Sequence, residues 1–170
     1  MNKVFLLLGG NLGNRFENLS NALKAIRLNV GKIELESSIY ETKAWGKLEQ
    51  PDFLNIAIKV DTFLSPHEVL NEIQKIETQL GRIRKDKWSE RTMDIDIIFY
   101  NDLILSDSDI LIIPHLMLTM RKFVLLPLNE IAPNYKHPIT KKTISELLID
   151  CEDKLEVIRL NKNFHISINE

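Results

Sequence analysis

The alternation of apolar and polar residues along the first hundred positions predicts two strand–helix–strand units. Residues 3–8 are predicted to form a strand, and the unbroken apolar run from Val4 to Leu8 is typical of a strand that is buried on both faces. A helix begins after Asn14, with Glu17 three residues further on as in a capping box. Its apolar stripe consists of Leu19, Leu23, Ile26 and Val30. Residues 32–41 and 53–62 alternate in hydrophobicity, and each is predicted to form a strand.

The second unit has the strongest helix start in the chain. Ser65, Pro66 and Glu68 occupy the cap, N1 and N3 positions of a helix that ends at Gly81. Residues 94–100 form the next strand. The order β-α-β-β-α-β is that of a ferredoxin-like α+β fold, in which an antiparallel sheet carries its helices on one face.

The remainder of the chain adds elements to this core. They are a short strand near residues 103–105, an apolar segment at 123–131, a helix near 143–150 and a strand near 155–160. Residues 161–170 are expected to form a loose tail. The pattern therefore predicts one domain over residues 1–160, with C-terminal additions to a ferredoxin-like core.

Composition narrows the class of protein. The 170 residues carry a formal net charge of −2, so no general positive field favours nucleic acid. The first apolar run is too short for a signal peptide, and no stretch reaches membrane-spanning length. The single cysteine, Cys151, fits a reducing compartment. We therefore expect a cytoplasmic monomer that binds neither nucleic acid nor membranes.

Candidate chemistry is concentrated between residues 81 and 96. Five basic side chains and one indole lie close together there: Arg82, Arg84, Lys85, Lys87, Arg91 and Trp88. A charge cluster is usually a solvated loop, but an indole within it favours a ligand that covers the loop. Arginine and lysine side chains bind phosphate oxygens, so the cluster predicts a polyphosphate site.

Asp94 and Asp96 lie one residue apart on a predicted strand, so both carboxylates point to the same face. Asp-x-Asp alone is short, and it is more often the polar start of a strand than a metal site. Two neighbouring carboxylates nevertheless repel each other and need a cation. Beside a polyphosphate site, the pair favours magnesium and a phosphoryl-type transferase.

Three further features carry weaker signals. Residues 9–13 match neither phosphate-loop fingerprint and are interpreted as a tight strand-to-helix turn. His115 is a lone loop histidine, which is more often structural than functional. Asn55 places an amide on the same strand face as Phe53, where a heterocycle with hydrogen-bond donors and acceptors would satisfy it.

Several motifs, in order, resemble the 6-hydroxymethyl-7,8-dihydropterin pyrophosphokinase family over roughly residues 3–135. They are Gly9-Gly10-Asn11-Leu12-Gly13-Asn14-Arg15, Tyr40-Glu41-Thr42, Gln50-Pro51-Asp52-Phe53-Leu54-Asn55, Gly81-Arg82-Ile83-Arg84, Arg91-Thr92-Met93-Asp94-Ile95-Asp96 and Pro114-His115. The resemblance implies transfer of a pyrophosphoryl group from ATP to the pterin alcohol, with release of AMP and with two Mg²⁺ ions as cofactors.

The resemblance also implies roles for individual residues. Asp94 and Asp96 would ligate the two magnesium ions, while Arg82 and Arg91 would stabilise charge on the transferring group. The nucleotide would lie near Gln74, Glu77, Arg84, Lys85, Trp88, Ile97, His115 and Arg121. The pterin would contact Thr42, Trp45, Phe53, Asn55 and Phe123, with its ring between the two phenylalanines. Departures from the family pattern bear on ATP affinity and occur at Gly10, Lys87, Ile110, Ile112 and Leu116.

Two alternatives stay open. Another magnesium-dependent transferase with the same aspartate pair would release ADP or pyrophosphate in place of AMP. A non-enzymatic ferredoxin-like module could bind nucleotide or RNA as a sensor. The near-neutral charge and the acidic pair disfavour that module, and turnover would exclude it.

Overall fold

A computed structural model describes residues 1–43, 50–82, 91–108 and 110–160 of the chain. Its elements, in order, are β1 (Asn2–Gly10), α1 (Arg15–Asn29), β2 (Lys32–Glu36), β3 (Tyr40–Thr42), β4 (Phe53–Thr62), α2 (Pro66–Gln79), β5 (Asp94–Tyr100), β6 (Leu105–Asp107), β7 (Leu111–Ile113), a short 3-10 helix (Leu118–Met120), α3 (Lys122–Ile131), α4 (Ile144–Asp150) and β8 (Val157–Arg159). The strands predicted at 53–62 and 94–100 are confirmed with the same bounds.

Within these ranges, six strands form an antiparallel sheet in the order β5-β1-β4-β3-β8, with β2 also paired to β4. This is the ferredoxin-like arrangement, and it confirms the predicted α+β class. The single strand predicted at 32–41 is two strands. Ser37 donates its N–H to the Ala57 carbonyl at 2.9 Å, while Ser38 turns toward Glu130, so the chain is bent between β2 and β3.

The helix ends follow their local sequence signals. The Ser65 hydroxyl accepts the N–H of Glu68, and the Glu68 carboxylate accepts the N–H of Ser65 at 2.7 Å, so the capping box of α2 is confirmed. Asn14 caps α1 by accepting the N–H of Glu17 at 3.2 Å. Gly81 follows α2 with a φ of 81°, a left-handed conformation that glycine adopts without steric cost.

Strand alternation divides the core between the two faces of the sheet. Leu6 and Leu8 of β1 pack with α1 and α2, on the face that carries the two helices of the ferredoxin-like core. Phe5 and Leu7 point the other way and pack with α3 and α4. The C-terminal helices therefore cover the face that the βαββαβ core alone would leave open, which explains why residues 4–8 are apolar at every position.

The C-terminal additions differ in detail from the prediction. The apolar segment at 123–131 belongs to α3, and the short strand at Leu105–Asp107 pairs with an unpredicted partner, β7. The tail at 161–170 lies outside the described residues. In the part of the chain that the structure describes, no helix has the length and apolar character needed to cross a membrane.

Glu130, near the end of α3, joins three elements. Its carboxylate accepts four hydrogen bonds, each at 2.9 Å, from the Ser38 N–H, the Ser38 hydroxyl, the Tyr40 hydroxyl and the Arg159 guanidinium. Burial raises the pKa of Glu130, but these hydrogen bonds and the Arg159 charge outweigh burial and hold the pKa below its ordinary value. The cluster fixes β3 between α3 and β8.

Replacing Glu130 with glutamine should lower the free energy of unfolding by about 1–3 kcal/mol at pH 7, because charge-assisted hydrogen bonds are lost. The folded-state pKa is depressed, so this contribution is present above the ordinary value of 4.5 and is lost as the pH falls through the folded value. Denaturant unfolding at pH 7 and pH 3 should show the wild-type advantage shrinking in acid. Glu72→Gln, which removes a surface pair with Lys75, is the control and should cost about 0–1 kcal/mol.

Candidate active site

Two cavities meet at the start of β5. We call the first the aromatic cavity; it is open to solvent, has a volume of about 710 Å³ including its mouth, and is lined by Leu7, Gly9, Thr42, Lys43, Gln50, Phe53, Asn55, Arg91, Asp94, Asp96, Arg121 and Phe123. The second, the aliphatic cavity, is also open to solvent, has a volume of about 1130 Å³ including its mouth, and is lined by Leu70, Ile73, Arg91, Asp94, Ile95, Asp96, Ile97, Ile110, Leu111, Ile112, His115, Leu116, Met117 and Arg121. The two cavities share two arginines and both aspartates.

The sheet register explains why the aromatic cavity exists. Gly9 of β1 lies between Asn55 of β4 and Asp94 of β5, so these three residues form one row across the sheet. A Cβ on Gly9 would lie 2.6 Å from Oδ1 of Asn55. The missing side chain therefore leaves space between an amide and a carboxylate, and that space is the floor of the cavity.

The walls of the aromatic cavity bring together four residues that the sequence predicts to contact the pterin. Phe53 begins β4, and Phe123 lies in the first turn of α3. The buried amide of Asn55 donates its Nδ2–H to the Thr42 hydroxyl at 3.0 Å. The Arg121 guanidinium lies 5.8 Å from the centre of the Phe123 ring, which places a cation over its face. Trp45, the fifth predicted contact, lies outside the described residues.

The aliphatic cavity lies between α2, β5 and the segment from residue 110 to 121. Three residues that the resemblance places near the nucleotide, Ile97, His115 and Arg121, line it. Burial lowers the pKa of His115, and the Arg121 charge adds to this, so the imidazole is neutral at pH 7. Its Nδ1 accepts the N–H of Met117 at 3.2 Å, which leaves the proton on Nε2. The departures Ile110, Ile112 and Leu116 also line this cavity and make its wall largely apolar.

Arginines hold one of the two aspartates. The Asp94 carboxylate lies 2.9 Å from Arg82 and 2.5 Å from Arg91. Asp96 has no ion-pair partner among residues 1–43, 50–82, 91–108 and 110–160. Burial raises the pKa of Asp96 to about 7, and the negative charges of Asp94 and Glu77 add to this shift. A carboxylate in this position is stabilised by a cation.

Two of the predicted nucleotide contacts, Gln74 and Glu77, are on α2. Glu77 is buried, accepts the N–H of Ile95 at 2.7 Å and lies 2.5 Å from Arg82, so it fixes Arg82 and β5 to α2. Neither Glu77 nor Gln74 is among the described residues that line the two cavities. Burial raises the pKa of Glu77, and Asp94 contributes to that shift. The predicted contacts Arg84, Lys85 and Trp88 lie outside the described residues.

The glycine pair of the first turn has a different role from the one that its sequence indicates. Gly10 belongs to β1, and the residue with positive φ in the turn itself is Gly13, at 70°. A Cβ on Gly10 would lie 2.3 Å from the Thr92 carbonyl oxygen. The interpretation of residues 9–13 as only a tight turn is therefore incomplete, because Gly9 and Gly10 allow the site segments to approach β1.

Replacing Gly10 with alanine should destabilise the protein by about 1–3 kcal/mol and lower turnover, because the new methyl group displaces the segment that carries Arg91. Gly31→Ala is a matched control: its Cβ would lie 2.1 Å from the Asp61 carbonyl oxygen, away from both cavities. Its stability should fall similarly, while the folded protein keeps its turnover. Thermal unfolding and steady-state rates measure the two effects, and equal losses of turnover would contradict the role assigned to Gly10.

The donor set of the site fits magnesium that arrives with a nucleotide. Across the described ranges, no cluster of three or more His, Cys, Asp or Glu side chains could hold a metal by itself. Magnesium usually takes one or two protein carboxylates and completes its shell with water and phosphate oxygens. Asp94 and Asp96 provide that partial set, and Asp96 is the carboxylate that lacks an ion-pair partner.

Comparisons with known proteins show the family to which the chain is similar. The family model described as 7,8-dihydro-6-hydroxymethylpterin-pyrophosphokinase matches residues 5–133. A protein of Aquifex aeolicus named 2-amino-4-hydroxy-6-hydroxymethyldihydropteridine pyrophosphokinase is 43% identical over 148 residues, which cover 86% of this chain and 90% of the relative. A protein of the same name from Haemophilus influenzae is 40% identical, covering 93% of this chain and 98% of the relative.

A solved structure has the same fold. Wild-type Plasmodium falciparum HPPK-DHPS with pteroate superposes with a TM-score of 0.72 over 88% of this chain. The sequence identity is 21%, and the match covers 44% of that longer protein. This chain therefore matches less than half of the length of the solved protein.

Proposed function

The chain belongs to the 7,8-dihydro-6-hydroxymethylpterin-pyrophosphokinase family, and from this premise we propose how its two cavities divide the reaction. The enzyme transfers a pyrophosphoryl group from ATP to 6-hydroxymethyl-7,8-dihydropterin in folate biosynthesis. The products are the pterin diphosphate and AMP.

The aromatic cavity is the pterin site. A planar bicyclic ring fits between Phe53 and Phe123, where stacking on aromatic faces is favourable. Asn55 supplies an amide at the cavity floor, with one N–H already directed to Thr42. The remaining donor and acceptor of this amide complement the donors and acceptors on the edge of a pterin. Asp96 and Arg91 lie at the end of the cavity where the hydroxymethyl group must meet the phosphates.

The aliphatic cavity is the ATP site. Its apolar wall suits the adenine ring, and its other end carries cationic groups and the neutral His115. Arg91 and Arg121 line both cavities, so a polyphosphate bound between them lies beside the pterin alcohol. Guanidinium groups bind phosphate oxygens in a forked geometry, which orients the chain of phosphates.

Asp94 and Asp96 would hold two magnesium ions. When bound, these ions would neutralise charge on the phosphate oxygens and stabilise the transition state of the transfer. Glu77 and Arg82 fix the start of β5, so the carboxylates stay in place before the nucleotide binds. Arg91, held beside Asp94, offers its guanidinium to charge that develops on the transferring group.

The reaction is an in-line attack of the pterin hydroxymethyl oxygen on the β-phosphorus of ATP, and AMP is the leaving group. Among the described residues no side chain is placed as a dedicated general base. Most of the rate enhancement comes from holding the two substrates in line and from neutralising charge. The observation that carries this proposal is that both cavities end on the same aspartates and arginines.

The test is product analysis. The protein is incubated with ATP, magnesium and 6-hydroxymethyl-7,8-dihydropterin, and the nucleotides are separated by chromatography. AMP should appear only when the pterin is present, and chelation of the metal should stop its formation. ADP or pyrophosphate would indicate attack at the γ- or α-phosphorus, as expected of a different transferase. If the folded protein shows no turnover, the result would favour the alternative of a non-enzymatic module that binds nucleotide or RNA as a sensor.

We also propose that the enzyme acts as a monomer in the cytoplasm. Light scattering measured together with size-exclusion chromatography tests the first point, and localisation of the tagged protein in cells tests the second.

A further inference from the structure

Asn11 connects the two sides of the candidate active site. It follows β1 and is only 1% exposed, although it is polar. Its Oδ1 accepts the N–H of Arg91 at 3.1 Å, while its Nδ2 donates to the Pro51 carbonyl at 3.1 Å and to Oε1 of Gln50 at 3.3 Å. The Asn11 amide therefore accepts a hydrogen bond from the segment at Arg91 and donates two hydrogen bonds to the segment at residues 50–51.

The two segments that Asn11 joins belong to different walls. Residues 50–51 lead into β4, and Gln50 lines the aromatic cavity. Arg91 lines both cavities and contacts Asp94. Pro51 and Arg91 are 40 positions apart in the sequence. Their relative position therefore depends on tertiary contacts rather than on local chain geometry.

The Arg91 side of this connection is also held by backbone hydrogen bonds. The Arg91 carbonyl accepts the N–H groups of Asn11 and Leu12 at 3.0 and 3.3 Å. The next residue, Thr92, does not fix the segment through its side chain, since its buried Oγ1 has no hydrogen-bond partner among the described residues. These backbone contacts hold Arg91 even without the Asn11 side chain, whereas both bonds from Asn11 to residues 50–51 are side-chain bonds.

We propose, on the basis of the function assigned above, that Asn11 is a positioning residue for the acceptor substrate. Its amide sets the wall at Gln50 and Pro51 relative to Arg91, and thereby sets the pterin alcohol relative to the phosphates. Loss of the amide acts mainly on the pterin side, because the Arg91 side keeps its two backbone hydrogen bonds. A 1 Å error in such an alignment is enough to slow a transfer reaction strongly.

The test compares Asn11→Ala with Asn18→Ala. Asn18 is a matched control, since its Nδ2 donates to the Leu12 carbonyl in the same turn at 3.0 Å and contacts neither segment. Asn11→Ala should weaken pterin binding roughly tenfold in the presence of α,β-methylene-ATP and should lower kcat by about tenfold. Affinity for the ATP analogue should stay within about twofold. Asn18→Ala should leave all three values unchanged.

A second variant separates positioning from general stability. Asn11→Asp keeps the acceptor toward the Arg91 N–H but removes both donors and faces the Pro51 carbonyl with a carboxylate. It should bind pterin no better than Asn11→Ala; wild-type pterin affinity in Asn11→Asp would overturn the proposal. Equal losses of ATP and pterin affinity in Asn11→Ala, with a lower Tm, would also overturn it and indicate a merely structural residue. Asn11→Ser, with its smaller change, replaces Asn11→Ala if that variant does not fold.

Failure of this inference and failure of the proposed function are distinguishable. A wild-type enzyme that forms no AMP with pterin present would refute the function. A wild-type enzyme that does form AMP, together with an Asn11→Ala variant of unchanged kcat and pterin affinity, would refute only the role of Asn11.

Discussion

Asp96→Asn should lower turnover by about 10³-fold or more, while the fold stays intact. The substitution keeps the size and hydrogen-bonding shape of the side chain and removes the charge that a magnesium ion requires. Asp96 is the right target because no described cation pairs with it, whereas Asp94 is also held by two arginines. Chromatographic measurement of AMP formation at saturating magnesium, ATP and pterin gives the effect directly.

The stability of the same variant is the control. Burial and two neighbouring carboxylates raise the pKa of Asp96 to about 7, so its charge opposes folding at neutral and alkaline pH. Asp96→Asn should therefore unfold at the same temperature as the metal-free wild type or at a higher one at pH 8. Turnover near the wild-type value in this variant would overturn the assignment of Asp96 as a metal ligand.

Arg91→Ala should lower kcat by about 10²–10³-fold and change affinity for α,β-methylene-ATP by less than about tenfold. Arg91 lines both cavities, and in the proposed reaction it would lie between the two substrates, where charge develops during transfer. In the proposed site other cationic groups, among them Arg121, should still bind the phosphates in the ground state. Single-turnover kinetics and calorimetric titration measure the two quantities separately.

Arg91→Lys tests whether the planar guanidinium is needed. Lysine keeps the positive charge but presents a point donor, so it should recover part of the lost rate and not all of it. A loss confined to ATP affinity, with unchanged kcat, would show that Arg91 binds the ground state and would contradict its role in the transfer itself.

The sequence predicts well those features that depend on neighbours in the chain. The capping box at Ser65 and the strand bounds at 53–62 and 94–100 rest on local periodicity and local hydrogen bonds. Asp94 and Asp96 share one face of their strand, and so do Phe53 and Asn55, because side chains on a strand repeat every two residues. These parts of the site could therefore be placed before the fold was known.

Features that depend on distant contacts could not be predicted in this way. The role of Gly10 depends on a carbonyl oxygen at Thr92, and the burial of Asn11 depends on residues 50–51 and 91. Glu77 has the charge of a nucleotide or metal contact, but its partners are Arg82 and the N–H of Ile95. No periodic pattern marks these residues, because their roles depend on tertiary contacts outside the helix or strand that carries them.

The position of β8 bears on how the protein is synthesised. β3 pairs with β4 on one edge and with β8 on the other, and Arg159 of β8 completes the hydrogen bonds of Glu130. Because β8 is the last described strand to leave the ribosome, nascent β3 has an unpaired edge while the rest of the sheet is already available. The wall that carries Thr42 is therefore completed late, and until then its free edge is available for pairing with another nascent chain.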